Sequence, residues 1–201
     1  MFQSQLNENN KMITFLEFLE HEKHAVFTFG RFNPPHKGHE LLANAVHREA
    51  TKHKADSFMF TSNSHDKKKN PLTPQEKLKF LKLSFPFIDH IENSANIITV
   101  AQMLQKKGYT HITLVVGSDQ IESFTKLLTK YNGKDFSFRD ISVVSAGDRV
   151  ETDDTVVGIS GTKMRKYALE GEIEKFKAFC PSKLNDKDVK ELLSIVQKAM
   201  S

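Results

Sequence analysis

The chain has 201 residues, 38% of them hydrophobic and 27% charged, and carries a net charge of +4. That length suits one domain with its own core, and the composition excludes a disordered or collagen-like chain. No run approaches the ~18 apolar residues of a membrane-spanning helix, and the mild basicity suits anionic ligands without calling for nucleic acid.

The opening stretch "MFQSQLNENNKMITF" has no apolar segment of the signal-peptide kind, so none is expected. Met12 to Glu22 ("MITFLEFLEHE") carries apolar residues at helical spacing, with Thr14 a candidate cap. His21 to His24 ("HEKH") lacks the spacing of a zinc-binding helix and reads as a solvated helix end, so no metal site is expected. Ala25 to Phe29 ("AVFTF") is an apolar strand ended by Gly30, and Gly38 to Lys54 is helical in period. Ser57 to Ser62 ("SFMFTS") is a second buried strand. Thr73 and Pro74 then form a cap and first turn, with Glu76 at the capping-box position.

"DHIEN" is a short strand candidate, and "ANIITVAQMLQKKG" a helix stopped by Gly108. His111 to Gly117 ("HITLVVG") is the clearest strand. A helix follows to Gly133, then a strand over Asp140 to Ala146, then a helix from "SGTKMR" to Gly171. Two helical segments, "EIEKFKAF" and "NDKDVKELLSIVQKAM", end the chain. The lone Cys180 cannot form an internal disulfide; it reads as a small packed residue, and a cytoplasmic location is expected.

Strands alternating with helices predict an α/β fold: a Rossmann-like doubly wound parallel sheet with additional N- and C-terminal helices. Residues 1–201 are read as one domain, with a core over about 25–170 and a C-terminal helical extension over about 171–201. Ligands of such sheets sit beyond the carboxyl ends of the strands, so the loops after Phe29, Ser62, Val116 and Ala146 are the ones that matter.

The first of these, "FGRFNPPHKGHE", joins a stiff proline turn to a helix starting near Lys37 and Gly38. His36 and His39 are three apart and can face one way at a helix start, where free N–H groups and the dipole favour phosphate. Gly30 allows a turn or a close approach, and Gly38 leaves room beside the imidazoles for a nucleotide. A proline turn with surface histidines would look the same. In "GISGTKMR", Ser160, Gly161 and Thr162 offer N–H and O–H donors, and Lys163 and Arg165 add charge; an ordinary capped helix with surface cations is the plain alternative. In "GSDQ", Ser118 or Asp119 caps a helix, or Asp119 bonds ligand hydroxyls. "SNSHDKKKNPLT" is an acceptor-binding loop or a mobile surface loop. The acidic stretch from Asp148 to Asp154 is a loop near the nucleotide or a solvated connection.

"GRFNPPHKGH" and "ISGTKMR" together, in this order, resemble the HxGH nucleotidylyltransferase superfamily over most of Ala25 to Arg165. The superfamily includes nicotinamide mononucleotide and pantetheine-phosphate adenylyltransferases and cytidylyltransferases. The resemblance implies a Rossmann-like domain that binds a nucleoside triphosphate with Mg²⁺ carried on it. A phosphorylated small molecule attacks the α-phosphorus in line, pyrophosphate leaves, and no covalent enzyme intermediate forms. It gives His36, His39 and Arg165 catalytic roles. Gly30, Arg31, Phe32, Lys37, Gly38, Gly117, Asp119, Ile159, Ser160 and Thr162 are implied to bind the nucleotide and its phosphates. Ser64, His65, Lys69 and Asn70 are implied to meet the acceptor.

Within the superfamily, the Ser62 to Lys77 segment is similar to that of archaeal-type nicotinamide mononucleotide adenylyltransferases, and "GSDQIESF" to bacterial pyridine-nucleotide enzymes. Other stretches resemble cytidylyltransferase-like proteins of phages and bacteria. The chain has no tryptophan, and Lys77 stands where the archaeal-type segment has arginine. Adenylyl transfer from ATP to nicotinamide mononucleotide leads. Cytidylyl transfer from CTP to an alcohol phosphate and a non-catalytic nucleotide-binding protein are the alternatives. The oligomeric state, a homo-oligomer included, stays open.

Overall fold

The computed structural model describes residues 22–147 and 158–201. The expected helix over Met12 to Glu22 lies almost wholly, and the acidic stretch over Asp148 to Asp154 entirely, outside the described residues. Five strands, β1 (His24–Gly30), β2 (Asp56–Ser62), β3 (His90–Ser94), β4 (His111–Val116) and β5 (Asp140–Ser145), form one sheet in the order β3-β2-β1-β4-β5. Every pairing is parallel, with Phe27 opposite Phe58 and Leu114 in the middle of the sheet. The three central strands are covered on both faces, which is why they read as unbroken apolar runs rather than as alternation.

The covering helices are α1 (Lys37–His53), α2 (Pro74–Ser84), α3 (Ile97–Lys106) and α4 (Ile121–Tyr131). Val26, Met59, Ile91 and Val115 pack against α1 and α2 on one face. Ala25, Phe27, Phe58, Phe60, Ile112 and Leu114 pack against α3 and α4 on the other. Successive strand residues point to opposite faces, so adjacent positions such as Val26 and Phe27 fall in different cores. The expected capping box forms: Glu76 N–H donates to Thr73 Oγ1 at 3.3 Å, and Thr73 N–H donates to Glu76 Oε2 at 2.8 Å. Gly108, at φ 87°, takes the left-handed turn that ends α3.

Three further helices, α5 (Gly161–Leu169), α6 (Ile173–Phe179) and α7 (Asp186–Met200), build a third core beside α2. Met164, Tyr167 and Ala168 of α5 meet Phe176, Leu192, Leu193 and Val196 there, together with Phe80 and Leu72. Glu40 ties this layer to α1 by accepting from the Ser182 N–H and hydroxyl, each at 3.0 Å. The C-terminal helices therefore buttress α5 from behind. Cys180 is buried among them as the packed residue expected, and burial pushes its thiol up to about 12. Among the described residues, no helix is long and apolar enough to cross a membrane.

Candidate active site

β1 and β4 are neighbours, and the chain leaves them toward opposite ends of the sheet order. A cleft of about 600 Å³ opens beyond their carboxyl ends, where sheets of this kind take ligands.

One wall is the loop from β1 into α1. Gly30 ends the strand beneath the ring of Phe32, a buried residue with φ 47°. The helix then starts with a capping box made of two imidazoles. Gly38 N–H donates to His36 Nδ1 at 3.1 Å, and His36 N–H donates to His39 Nδ1 at 3.2 Å. An imidazole that accepts at Nδ1 keeps its proton on Nε2, so the backbone fixes the same tautomer in both rings. The rings stack with centroids 3.7 Å apart, and Phe32 meets His39 edge-on at 4.8 Å. Gly38 has a definite reason to be glycine: a Cβ there would lie 3.0 Å from the His36 ring. Gly38 itself borders the cleft.

The facing wall is the start of α5. Lys163 N–H donates to Ser160 Oγ at 3.3 Å, so Ser160 caps the helix. Arg165 donates from Nη1 to the Asn33 carbonyl at 2.8 Å and from Nη2 to Thr162 Oγ1 at 3.1 Å. Burial, and then the charge of Arg31, press Arg165 below its usual pKa, although a guanidinium remains charged at any working pH. Ile159, buried, packs beside Gly38. His36, His39, Ser160, Thr162 and Arg165, read from segments more than a hundred residues apart, thus line one cleft, with Gly30, Arg31, Phe32, Gly38, Gly117 and Ile159.

The loop from β2 into α2 contributes Lys69 to the lining. Asp66 shapes it, accepting from the N–H groups of Lys69 at 2.7 Å and Lys68 at 2.9 Å and from the Asn70 side chain. These bonds, that to the Lys69 N–H first, hold the Asp66 carboxyl well below the usual carboxylate range. Ser64, His65 and Asn70, expected beside the acceptor, stand outside the lining. Ser64 bonds Ser62 through its hydroxyl at 2.6 Å, His65 is exposed, and Asn70 is buried against Asp66. Lys77 is buried too, its ammonium bonded to the carbonyls of Ser62 and Ser64. Burial, reinforced by Arg31, pushes its pKa down to about 8.

Two more expected residues lie outside the lining. Lys37 belongs to the first turn of α1, and its charge acts on Cys180 in the C-terminal layer. Asp119 is exposed in a short 3₁₀ turn over Ser118–Gln120. Neither that turn nor α4 has a side-chain cap, so Ser118 and Asp119 do not serve as one. Gly117, Gln120 and Phe124 line the cleft there instead.

Asn33 is the important contributor that sequence reasoning missed. Asn33 sits inside the motif, but its partners Leu72 and Arg165 are 39 and 132 residues away. Among the described residues, Arg31, Lys69, Lys163 and Arg165 line the cleft and no carboxylate does. None of the described residues form a cluster of three or more His, Cys, Asp or Glu side chains able to hold a metal ion. The arrangement suits a polyanion held by nitrogen donors.

The family model described as cytidylyltransferase-like matches residues 27–167. A curated protein of Thermosipho melanesiensis, named "Probable nicotinate-nucleotide adenylyltransferase", is 32% identical over 106 residues, covering 48% of this chain and 52% of that protein. The chain thus spans about half the length of that relative. A Vibrio parahaemolyticus structure assigned as a nicotinate-nucleotide adenylyltransferase superposes with a TM-score of 0.53 at 18% identity, over 85% of this chain and 99% of that one. Thermotoga maritima TmcAL, solved with α-thio ATP bound, superposes with a TM-score of 0.53 at 10% identity, over 87% of this chain and 55% of that one. At these identities the two structures speak to the fold.

Proposed function

This chain belongs to the cytidylyltransferase-like family, and from that premise we propose that it is a nucleotidylyltransferase that moves a nucleoside monophosphate from a triphosphate to a phosphorylated small molecule. The observation that carries this reading is the convergence of the stacked His36 and His39 with Arg165 on one cleft lined by cations and by no carboxylate among the described residues.

The nucleoside triphosphate enters as its Mg²⁺ complex, the ion belonging to the substrate. The Nε2–H groups of His36 and His39 meet the phosphoryl group in transfer, where charge grows on the outer oxygens in the transition state. Arg165, Thr162 and Ser160 hold the outer phosphates from the opposite wall. The acceptor's phosphate attacks the α-phosphorus, the bond to the bridging oxygen breaks, and pyrophosphate leaves with the negative charge. A phosphate nucleophile arrives already ionised, so the step needs no base, which agrees with the absence of carboxylates from the lining among the described residues.

ATP and nicotinamide mononucleotide are the leading pair, with NAD as product. The name of the Thermosipho melanesiensis relative supports a pyridine mononucleotide as acceptor and makes the nicotinate form its close competitor. A second reading, CTP with an alcohol phosphate, draws on the description of the matching family.

Pyrophosphate release measured across ATP and CTP with these acceptors tests the proposal. Release that needs both ATP and a pyridine mononucleotide supports the leading pair. Release with CTP and an alcohol phosphate overturns it in favour of the second reading. Nucleotide binding without release for any pair overturns the catalytic reading.

A further inference from the structure

Asn33 occupies a junction of three segments. Its side chain grips the backbone of Leu72 on both sides: Leu72 N–H donates to Oδ1 at 2.9 Å, and Nδ2 donates to the Leu72 carbonyl at 3.3 Å. This pair of bonds copies a rung of a β-ladder and pins the end of the loop that carries Lys69. The Asn33 carbonyl, in turn, accepts from Arg165 Nη1 at 2.8 Å. Asn33 is only 4% exposed, so bonds lost there are not replaced by water without cost. Gly161 completes the junction: a Cβ there would lie 3.1 Å from the Asn33 carbonyl oxygen and 3.1 Å from Arg165 Nη1. The start of α5 reaches the β1–α1 loop because position 161 has no side chain.

We propose that Asn33 is the positioning residue of the cleft, fixing the aim of Arg165 and joining it to the Lys69 loop. It acts through Arg165, from its own place in the cleft lining. Its amide holds the loop, the held loop places its carbonyl, and the carbonyl fixes one arm of the guanidinium while Thr162 fixes the other. A guanidinium held at two points presents its remaining N–H groups to an anion in one orientation, with little rotamer entropy left to lose. A phosphate on Arg165 and an anion on Lys69 are thereby read by parts that share one anchor.

The inference rests on the cleft being the phosphate site of the preceding section. Inorganic tripolyphosphate is the probe, titrated calorimetrically into the full chain. Arg165→Ala is expected to weaken binding about tenfold or more, the scale of a lost charged hydrogen bond. Asn33→Ala is expected to weaken it about fivefold. The double variant should bind within about twofold of Arg165→Ala alone, since residues acting through one another do not add. A residue that only stabilised the fold would give losses that multiply. Gly161→Ala keeps Asn33 and favours helix, so it perturbs the junction in a chain that folds; a loss of about threefold is expected, and it carries the test if Asn33→Ala does not fold. Wild-type affinity in Gly161→Ala and Asn33→Ala, or multiplying losses in the double variant, would overturn the inference alone. Failure of the unaltered chain to bind tripolyphosphate would overturn the reading of the cleft and the inference with it.

Discussion

Two groups of histidines stand at opposite ends of the central strands. His36 and His39 lie beyond the carboxyl end of β1, while His24, His111 and His53 gather at the amino ends of β1 and β4 and the end of α1. In the first group, backbone N–H groups occupy Nδ1 of both rings, and the rings stack at 3.7 Å. In the second, ring centroids lie 4.9 and 6.2 Å from His24, and the partners are side chains: Thr113 for His24, Thr110 for His111 and Glu49 for His53. A backbone-fixed imidazole is a donor of constant direction. An imidazole held by side chains has no such fixed frame, and its direction follows those of its partners.

The sharpest way to break this contrast is His39→Ala. Its turnover is expected to fall by about 10²- to 10³-fold, the scale of a lost transition-state donor, with the fold retained and up to about 1 kcal/mol of stability lost with its half of the capping box; steady-state pyrophosphate release beside a thermal melt reads both. Near-normal turnover would remove His39 from the chemistry. His36→Ala is the companion variant, because His36 is the N-cap residue of α1 itself and is buried. It is expected to lose turnover and about 1 kcal/mol of stability, the usual worth of a helix cap, measured by urea unfolding.

The second group makes its own prediction. Burial, and then the neighbouring His53 and His111, lower the pKa of His24, against the opposing pull of Asp140 and Glu49. The folded chain therefore sheds that proton more readily than the unfolded chain, whose histidine titrates near ~6.5. The stability tied to neutral His24 is fully present above that value and is lost as pH falls through the lower folded pKa. Urea midpoints should decline on acidification below about pH 6.5, and His24→Gln should make that decline shallower. An unchanged slope would show that His24 does not carry it. The smallest effect belongs to His53→Ala, which removes a partly exposed pair with Glu49 at 2.9 Å. A cost under about 0.5 kcal/mol is expected in the same unfolding experiment, with turnover unaffected.

How much of this was legible in the sequence follows from the reach of each interaction. The strands at Ala25, Ser57 and His111, the Thr73–Glu76 box and the shared side of His36 and His39 rest on spacings of a few residues, and the fold keeps them. Lys37 shows the opposite case. It sits between the two histidines' motif positions, yet helix geometry turns it from the cleft toward Cys180. Lys77 reads only as standing in place of an arginine, and its burial on the carbonyls of Ser62 and Ser64 comes from a separate segment. Gly38 reads as leaving space and Gly161 as a backbone donor, but what stands beside each, the His36 ring and the Asn33 carbonyl, is set by tertiary approach. Asn33 carries no local pattern at all, because both of its partners come from distant segments.

The central claim is transfer of a nucleoside monophosphate through attack at the α-phosphorus, and following that phosphorus tests it most directly. With ATP labelled at the α position and nicotinamide mononucleotide as acceptor, the account predicts that the label moves into a dinucleotide as unlabelled pyrophosphate is released in equal amount. Label recovered as ADP or AMP, with none in a dinucleotide and the acceptor unchanged, would contradict it.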